Sequence, residues 1–426
     1  MMTAFFLWAC CLVSAMADQA PDIVLLSVDT LRADMLGCYG CPLPISPVLD
    51  RFAEEALVFD DVQCEIPLTG PSFSAMLTGR YPREIGMTRN GLNLPESVST
   101  VTSLFRDGGY YCFAVLSNWT LRGKLCGLDR DFHVYDDRLP QKRWGFYRGE
   151  RRAEEVLKAA KKQLEERPAD RPFFAWIHFS DPHAPYRFRK KYDPRRTDFR
   201  KLSKKGITRA KYASEVNYTD AHIGKLLELL PRDCTILFVA DHGESLHDHG
   251  YLGHGRHVYS ECTRVPLMIR GPGVKAGRSD FPAQTLDVAR TLLSLAGRPQ
   301  WSGIRGFDLS QAGGEEKRVR FMESYGGLAP DIPGVRQLVE DSAPLRRAVL
   351  QAGWKLHVMP SRASELYYQP DDPGEEKNLS AHHPERVEAL QALLDAWEST
   401  CPRGSAQGAL LDEEDLDALR SLGYLD

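Results

Sequence analysis

The sequence predicts an α/β fold. A large, mostly parallel mixed sheet flanked by helices is followed by a small C-terminal α+β subdomain. Three observations carry this. Short apolar runs, strand-like in length, alternate with amphipathic helical patterns. The chain has 426 residues, enough for one large domain and a smaller one. Its composition is that of a globular protein, 43% hydrophobic and 26% charged.

In chain order, "TAFFLWACCLVSAMA" is an uncharged apolar run ending in Ala15-Met16-Ala17, a small-x-small cleavage pattern. Residues 1–17 therefore read as a signal peptide, too short for a membrane span. The expected location is secreted or periplasmic, with lipid attachment at Cys10 as the alternative. A catalytic domain is expected over residues 21–300. Its strands are predicted at 22–28 ("DIVLLSV"), 110–116 ("YYCFAVL"), 173–179 ("FFAWIHF") and 234–240 ("CTILFVA"). Helices are predicted from "ISPVLDRFAEEA" (45–56), "RRAEEVLKAAKKQLEE" (151–166) and "ASEVNYTDAHIGKLLELL" (213–230).

Gly and polar residues cluster at 302–314, the expected boundary to a subdomain over 301–426. There "RRAVLQAGWKLHVM" and "SELYYQP" read as strands of a small antiparallel sheet. A helix follows at 384–400, and an acidic-apolar helix is expected at 412–425. Residues 187–211 are strongly basic; they read as a solvated surface insertion, with a rim attracting anions as the functional alternative. Beyond Cys10 and Cys11, eight cysteines remain, an even number that permits disulfides in an exported chain. Cys38 and Cys41 read as a local disulfide or two free thiols. The net charge of −4 gives no pull toward nucleic acid or anionic membrane.

Ligands in open α/β sheets bind beyond the carboxyl ends of the strands. Here the strands end in Asp29-Thr30-Leu31-Arg32, Ser117-Asn118, Ser180-Asp181-Pro182-His183 and Asp241-His242-Gly243-Glu244. One such ending is an ordinary capped loop; four together point to one shared site. Asp29, Asp241 and His242 suit a divalent ion, the carboxylates favouring Ca or Mg and the imidazole moving preference toward Mn or Zn. "TGPSFSAMLTGR" has the look of a helix start, with Thr69 or Gly70 as cap and Pro71 at the first helical position. Such an end presents N–H groups to an anion, with Thr69 seated on it. His183 and His254 are candidates for acid–base work, whereas His247 and His249 read as loop residues. Asn118 is a candidate donor to an anionic oxygen.

Four blocks resemble, in order, the signatures of the sulfatase family, within the alkaline phosphatase superfamily. They are "DIVLLSVDTLRADMLGCYG", "PLTGPSFSAMLTGRYP", "FFAWIHFSDPHAPY" and "ILFVADHGESLHDHGYLGHGRHVYSECTRVPLMIRGPGV". The tail from 350 to 397 is similar too. The resemblance implies metal ligation by Asp29, Asp241 and His242, a nucleophile at Thr69 that is also a metal ligand, and a catalytic histidine at His183. It places His254 where a lysine contacts the anion, and Glu244 and Tyr259 as supports. It also brings departures. The family's cysteine, normally oxidised to formylglycine, is Thr69, and the arginine of that motif is Phe73. Thr30 replaces a carboxylate. A threonine has one hydroxyl and cannot expel sulfate by forming an aldehyde, but superfamily phosphodiesterases use a metal-bound threonine. A second ion could recruit Asp181, His183 or His254.

The expected activity is hydrolysis of an anionic ester, sulfate or phosphate, with Thr69 attacking and His183 as general acid. Amides after Thr69, Asn118 and Lys124 would stabilise the charge. The substrate is a small-molecule or glycan ester. The alternatives are a phosphodiesterase or phosphonate-ester hydrolase without sulfatase activity, and a silent pseudo-sulfatase that binds sulfated or phosphorylated glycans.

Overall fold

The computed structural model describes residues 20–139, 150–311, 317–326, 344–360, 362–409 and 413. The expected signal peptide, Cys10 and nearly all of the expected terminal helix lie outside them. Among the described residues no helix is long and apolar enough to cross a membrane.

The architecture is the expected mixed α/β one. The strands of the large sheet are β1 (Ile23–Val28), β2 (Leu57–Phe59), β3 (Tyr111–Val115), β4 (Val134–Asp136), β5 (Phe173–Phe179), β6 (Thr235–Ala240), β7 (Leu267–Arg270) and β8 (Gly277–Ser279). Their spatial order is β8-β2-β7-β6-β1-β5-β3-β4. The pairings among β6, β1, β5, β3 and β4 are parallel, and β7 runs antiparallel to β6 and β2. Every residue of β1, β5 and β6 is buried. That is the reason for their apolar composition: a central parallel strand is covered on both faces.

Register then sets function. Val28 pairs with Phe179 on one side and with Ala240 on the other. The three strands end level, so the residues after them, Asp29, Ser180 and Asp241, emerge side by side.

The covering helices are α1 (Pro47–Glu54), α2 (Thr69–Thr78), α3 (Val101–Asp107), α4 (Ala153–Glu166), α5 (Lys204–Leu227) and α6 (Asp287–Leu295). Two starts differ from expectation. Helix α2 begins at Thr69 rather than after it. Leu68 is extended and already accepts the first helical bond, from the Ser72 N–H at 2.9 Å. Helix α5 begins nine residues before Ala213, because the Ser203 hydroxyl accepts from the Gly206 N–H and caps it early. Part of the basic stretch is therefore helical.

Strands β9 (Arg320–Ser324), β10 (Arg346–Gln351), β11 (Trp354–Val358) and β12 (Glu365–Tyr368) form an antiparallel sheet covered by α7 (Pro384–Thr400). Ala352 and Gly353 turn β10 into β11, both with positive φ (49° and 79°). This is the geometry of a two-residue hairpin that follows the strand twist. Trp397 stacks on Phe321 at 4.6 Å. All eight described cysteines are free thiols, so none of the disulfides that the even count permits is formed among them.

The small sheet braces the loop that follows β6. Lys355, fully buried, pairs with Glu375 at 3.0 Å, and Glu375 accepts from the Ser260 N–H and hydroxyl. His249 joins this contact, with Nδ1 2.9 Å from Glu261 and Nε2 3.0 Å from the Glu375 carbonyl. Burial depresses the His249 imidazole, but the Glu261 hydrogen bond and charge outweigh it and push the pKa up to about 9. A histidine raised from its ordinary ~6.5 stabilises the fold fully below about pH 6.5 and ceases to do so as pH rises through the folded value. Urea denaturation between pH 6 and 10 should show wild-type stability falling more steeply than that of His249→Gln. Parallel curves would remove this pair from the account.

Candidate active site

Asp29, Asp241 and His242 meet at the level ends of β1 and β6, all fully buried. One ligand atom from each lies within 4.8 Å of the others. The Asp241 Oδ1 accepts from the backbone N–H of Thr30 (3.1 Å) and of His242 (2.8 Å). Thr30 reaches this position with φ 55°, in the left-handed region. The Asp29 Oδ2 accepts from Asn118 Nδ2 and, at 3.3 Å, from the Ser180 hydroxyl. The other oxygens, Asp29 Oδ1 and Asp241 Oδ2, have no hydrogen-bond partner. His242 Nδ1 lies 2.9 Å from the Gly243 carbonyl, a bond that needs the proton on Nδ1 and leaves the Nε2 lone pair free. Nε2 sits 3.7 Å from Asp29 Oδ1 and 3.5 Å from Asp241 Oδ2. A Cβ on Gly243 would lie 2.1 Å from the Glu261 carbonyl oxygen, so this tight approach excludes any larger residue.

The electrostatics separate the two carboxylates. Burial, then the Asp29 charge, drives the Asp241 carboxyl well above the carboxylate range. Asp29 feels the same burial, but His183, His178 and His242 outweigh it and hold it low. Two adjacent buried carboxylates cannot both ionise without a partner. Burial, reinforced by His254, depresses His242 to about 3, the neutral form that ligates. Two unpartnered carboxylate oxygens and one imidazole lone pair aimed at a common point fit a divalent ion.

Thr69 lies over this group, fully buried, with Oγ1 3.4 Å from His242 Nε2. The His254 ring lies 4.3 Å from His242 and 5.3 Å from His183. His254 Nδ1 is held by Glu244 at 3.0 Å, and His183 Nδ1 by Glu150 at 2.6 Å. Thus Thr69, His183 and His254 gather at the group. Tyr259 does not: its hydroxyl donates to Glu365 and its ring stacks on His249, at the junction with the small sheet. His247, 3.4 Å from the Thr208 hydroxyl, is a loop residue as expected. Lys124 is exposed on the one-turn helix Gly123–Cys126.

One expectation about the anion needs correction. The Gly70 N–H donates to Asn90 Oδ1 at 2.8 Å, Pro71 has none, and the Ser72 N–H is in the helix. The amides after Thr69 are therefore engaged within the protein. Asn118 is oriented by Thr120, whose N–H and hydroxyl both donate to its Oδ1, and its amide nitrogen turns to Asp29. That bond uses one of the two amide protons on a carboxylate. Phe73, at the motif's arginine position, is core: its ring packs 4.7 Å from Trp176 and 4.9 Å from His178.

Sequence reasoning missed Asn90, Glu150 and His178. Glu150 reaches His183 through an isolated bridge with Asn118. His178 carried a readable signal, an imidazole in an otherwise apolar buried strand.

The sulfatase family model matches residues 21–298. The chain belongs to the sulfatase family. It is 28% identical over 362 residues to the ulvan-active sulfatase of Formosa agariphila, covering 74% of this chain and 70% of that one. It is 24% identical to the Delta 4,5-hexuronate-2-O-sulfatase of Bacteroides thetaiotaomicron, covering 91% of each. The phosphonate monoester hydrolase of Agrobacterium radiobacter shares its fold, with a TM-score of 0.74 at 18% identity over 90% of this chain and 96% of that chain. The chain's family is one of ester hydrolases.

Proposed function

We propose an exported, divalent-metal-dependent hydrolase of an anionic ester, sulfate or phosphate, in which Thr69 is the nucleophile. One observation carries it: the buried Thr69 hydroxyl lies beside the free nitrogen of His242 in the Asp29, Asp241, His242 group. These three residues would hold the ion. When bound, it lowers the pKa of a hydroxyl and neutralises an ester oxygen.

Thr69 gives up its hydroxyl proton to solvent, its Oγ attacks the sulfur or phosphorus, the bond to the leaving oxygen breaks, and the group passes to Thr69. His183, held at Nδ1 by Glu150, presents Nε2 to protonate the leaving oxygen. Water then attacks the transferred group in line and frees Thr69. This last step separates the protein from relatives that use an aldehyde hydrate. A single hydroxyl suits phosphoryl or phosphonyl transfer, while the relatives named above are sulfatases; a glycan ester is the substrate class those names suggest.

The test is hydrolysis of matched aryl sulfate, phosphate monoester, phosphate diester and phosphonate esters with Mn, Zn, Mg or Ca added singly. Turnover that requires a metal is expected, and the preferred ester assigns the reaction. Wild-type protein silent on every ester and ion would favour the pseudo-sulfatase. His183→Ala should cost about 10²–10⁴-fold in kcat on alkyl esters. On nitrophenyl esters, whose leaving group needs no proton, the loss should be much smaller. Equal losses on both would remove His183 from the acid role.

A further inference from the structure

Beneath the metal-ligand group runs a buried chain of polar side chains with a single direction. Trp176 Nε1 lies 3.1 Å from Ser27 Oγ, and Ser27 Oγ lies 3.0 Å from His178 Nδ1. His178 Nε2 lies 3.4 Å from Ser180 Oγ, and Ser180 Oγ lies 3.3 Å from Asp29 Oδ2. All five side chains are fully buried. An indole nitrogen only donates. Ser27 therefore accepts from Trp176 and has one proton to give. His178 Nδ1 at 3.0 Å is a better acceptor site than the Ile177 carbonyl at 3.5 Å. Nδ1 then carries no proton and Nε2 does. That proton goes to Ser180, whose own goes to Asp29.

We infer that His178 is a positioning residue for the metal ligand Asp29. Through Ser180 it holds Asp29 Oδ2 on the protein side, together with Asn118, and leaves Oδ1 as the ligating oxygen. The His178 ring has little freedom: Phe73 meets it edge-on at 82° and its Nε2 lies 3.8 Å from Asp29 Oδ2. An imidazole in the middle of a strand with no polar face has no solvent role. Its hydrogen bonds connect the core of the sheet to the site and to nothing else among its described contacts. This inference rests on the metal reading of Asp29, Asp241 and His242 given above.

The experiment titrates Mn, Zn, Mg and Ca singly into chelator-stripped protein by calorimetry, for wild type, His178→Phe, His178→Gln and Ser27→Ala. Loss of a group that orients a metal ligand lowers affinity about 10–100-fold. That loss is expected for His178→Phe and, toward its lower end, for Ser27→Ala. His178→Gln, which can accept from Ser27 and donate to Ser180, should stay within a few-fold of wild type. A role confined to packing would lower the melting temperature and leave the affinity of the folded protein unchanged. Nitrogen-15 NMR of the His178 ring supplies a second readout, with the Nε2–H tautomer expected in wild type. Should His178→Phe not fold, Ser27→Ala, which deletes one oxygen, carries the test with that spectrum. Equal affinities across the folded variants, or an Nδ1–H tautomer, would overturn the role of His178 alone. Wild-type protein that takes up none of the four ions would overturn the metal reading and this inference together.

Discussion

Thr69→Ala should lower kcat by roughly 10⁴-fold or more on the preferred ester, the scale of deleting a nucleophile. That corresponds to about 5.5 kcal/mol of lost transition-state stabilisation. The fold should scarcely register the change. Thr69 is the first residue of α2, but its side chain does not cap the helix, and the Leu68 carbonyl makes the first helical bond without it. Deleting the hydroxyl removes one long contact to His242, worth about 1 kcal/mol at most. Thr69→Ser keeps the oxygen and should retain most of the activity. The covalent step predicts more. With an aryl ester, the first turnover should appear as a burst, because water must afterwards displace the group from a threonine with no second hydroxyl. Mass spectrometry of acid-quenched protein should find the transferred group on the peptide containing Thr69. Activity that survives Thr69→Ala would end the threonine mechanism, whatever ester is preferred.

Much of this was legible in the sequence, for a reason visible in the sheet. Strands β1, β5 and β6 are buried on both faces, so they are continuous apolar runs whose polar ends are abrupt. Asp29, Asp181, His183, Asp241 and His242 stand at those ends, and level register brings the ends together. What escaped was the allocation of hydrogen bonds. Whether the Gly70 amide faces an anion or Asn90 depends on where a loop twenty residues later folds back. That Asn118 also donates to Asp29 depends on Thr120 and on a neighbouring strand. Glu150 enters through a bridge to Asn118, and no local pattern marks it. The start of α5 was missed because a basic stretch reads as solvated loop, whereas Ser203 caps it into helix.

The second large effect reverses with the medium. In chelator, Asp241→Asn should be more stable than wild type; with the ion it should be less stable and inactive. Asp241 uses Oδ1 for two backbone N–H bonds, and an asparagine oxygen in the same place keeps both. Its Oδ2 has no partner, and neither does Asp29 Oδ1. An amide at the Oδ2 position removes the cost of burying an acid that must take up a proton to sit beside Asp29, and provides a lasting donor for the Asp29 oxygen. Relieving one unsatisfied buried group is worth about 1–3 kcal/mol. The ion reverses the order. At a concentration 1,000-fold above its dissociation constant it stabilises the wild type by about 4 kcal/mol, and the variant, lacking one anionic ligand, gains little. Urea denaturation of both proteins, with chelator and with each ion, therefore should give stability orders that cross. A variant less stable than wild type in chelator would mean that the two carboxylates do not strain the metal-free fold. Wild-type stability unmoved by every ion would mean that the buried charge has another partner, and the metal would leave the mechanism.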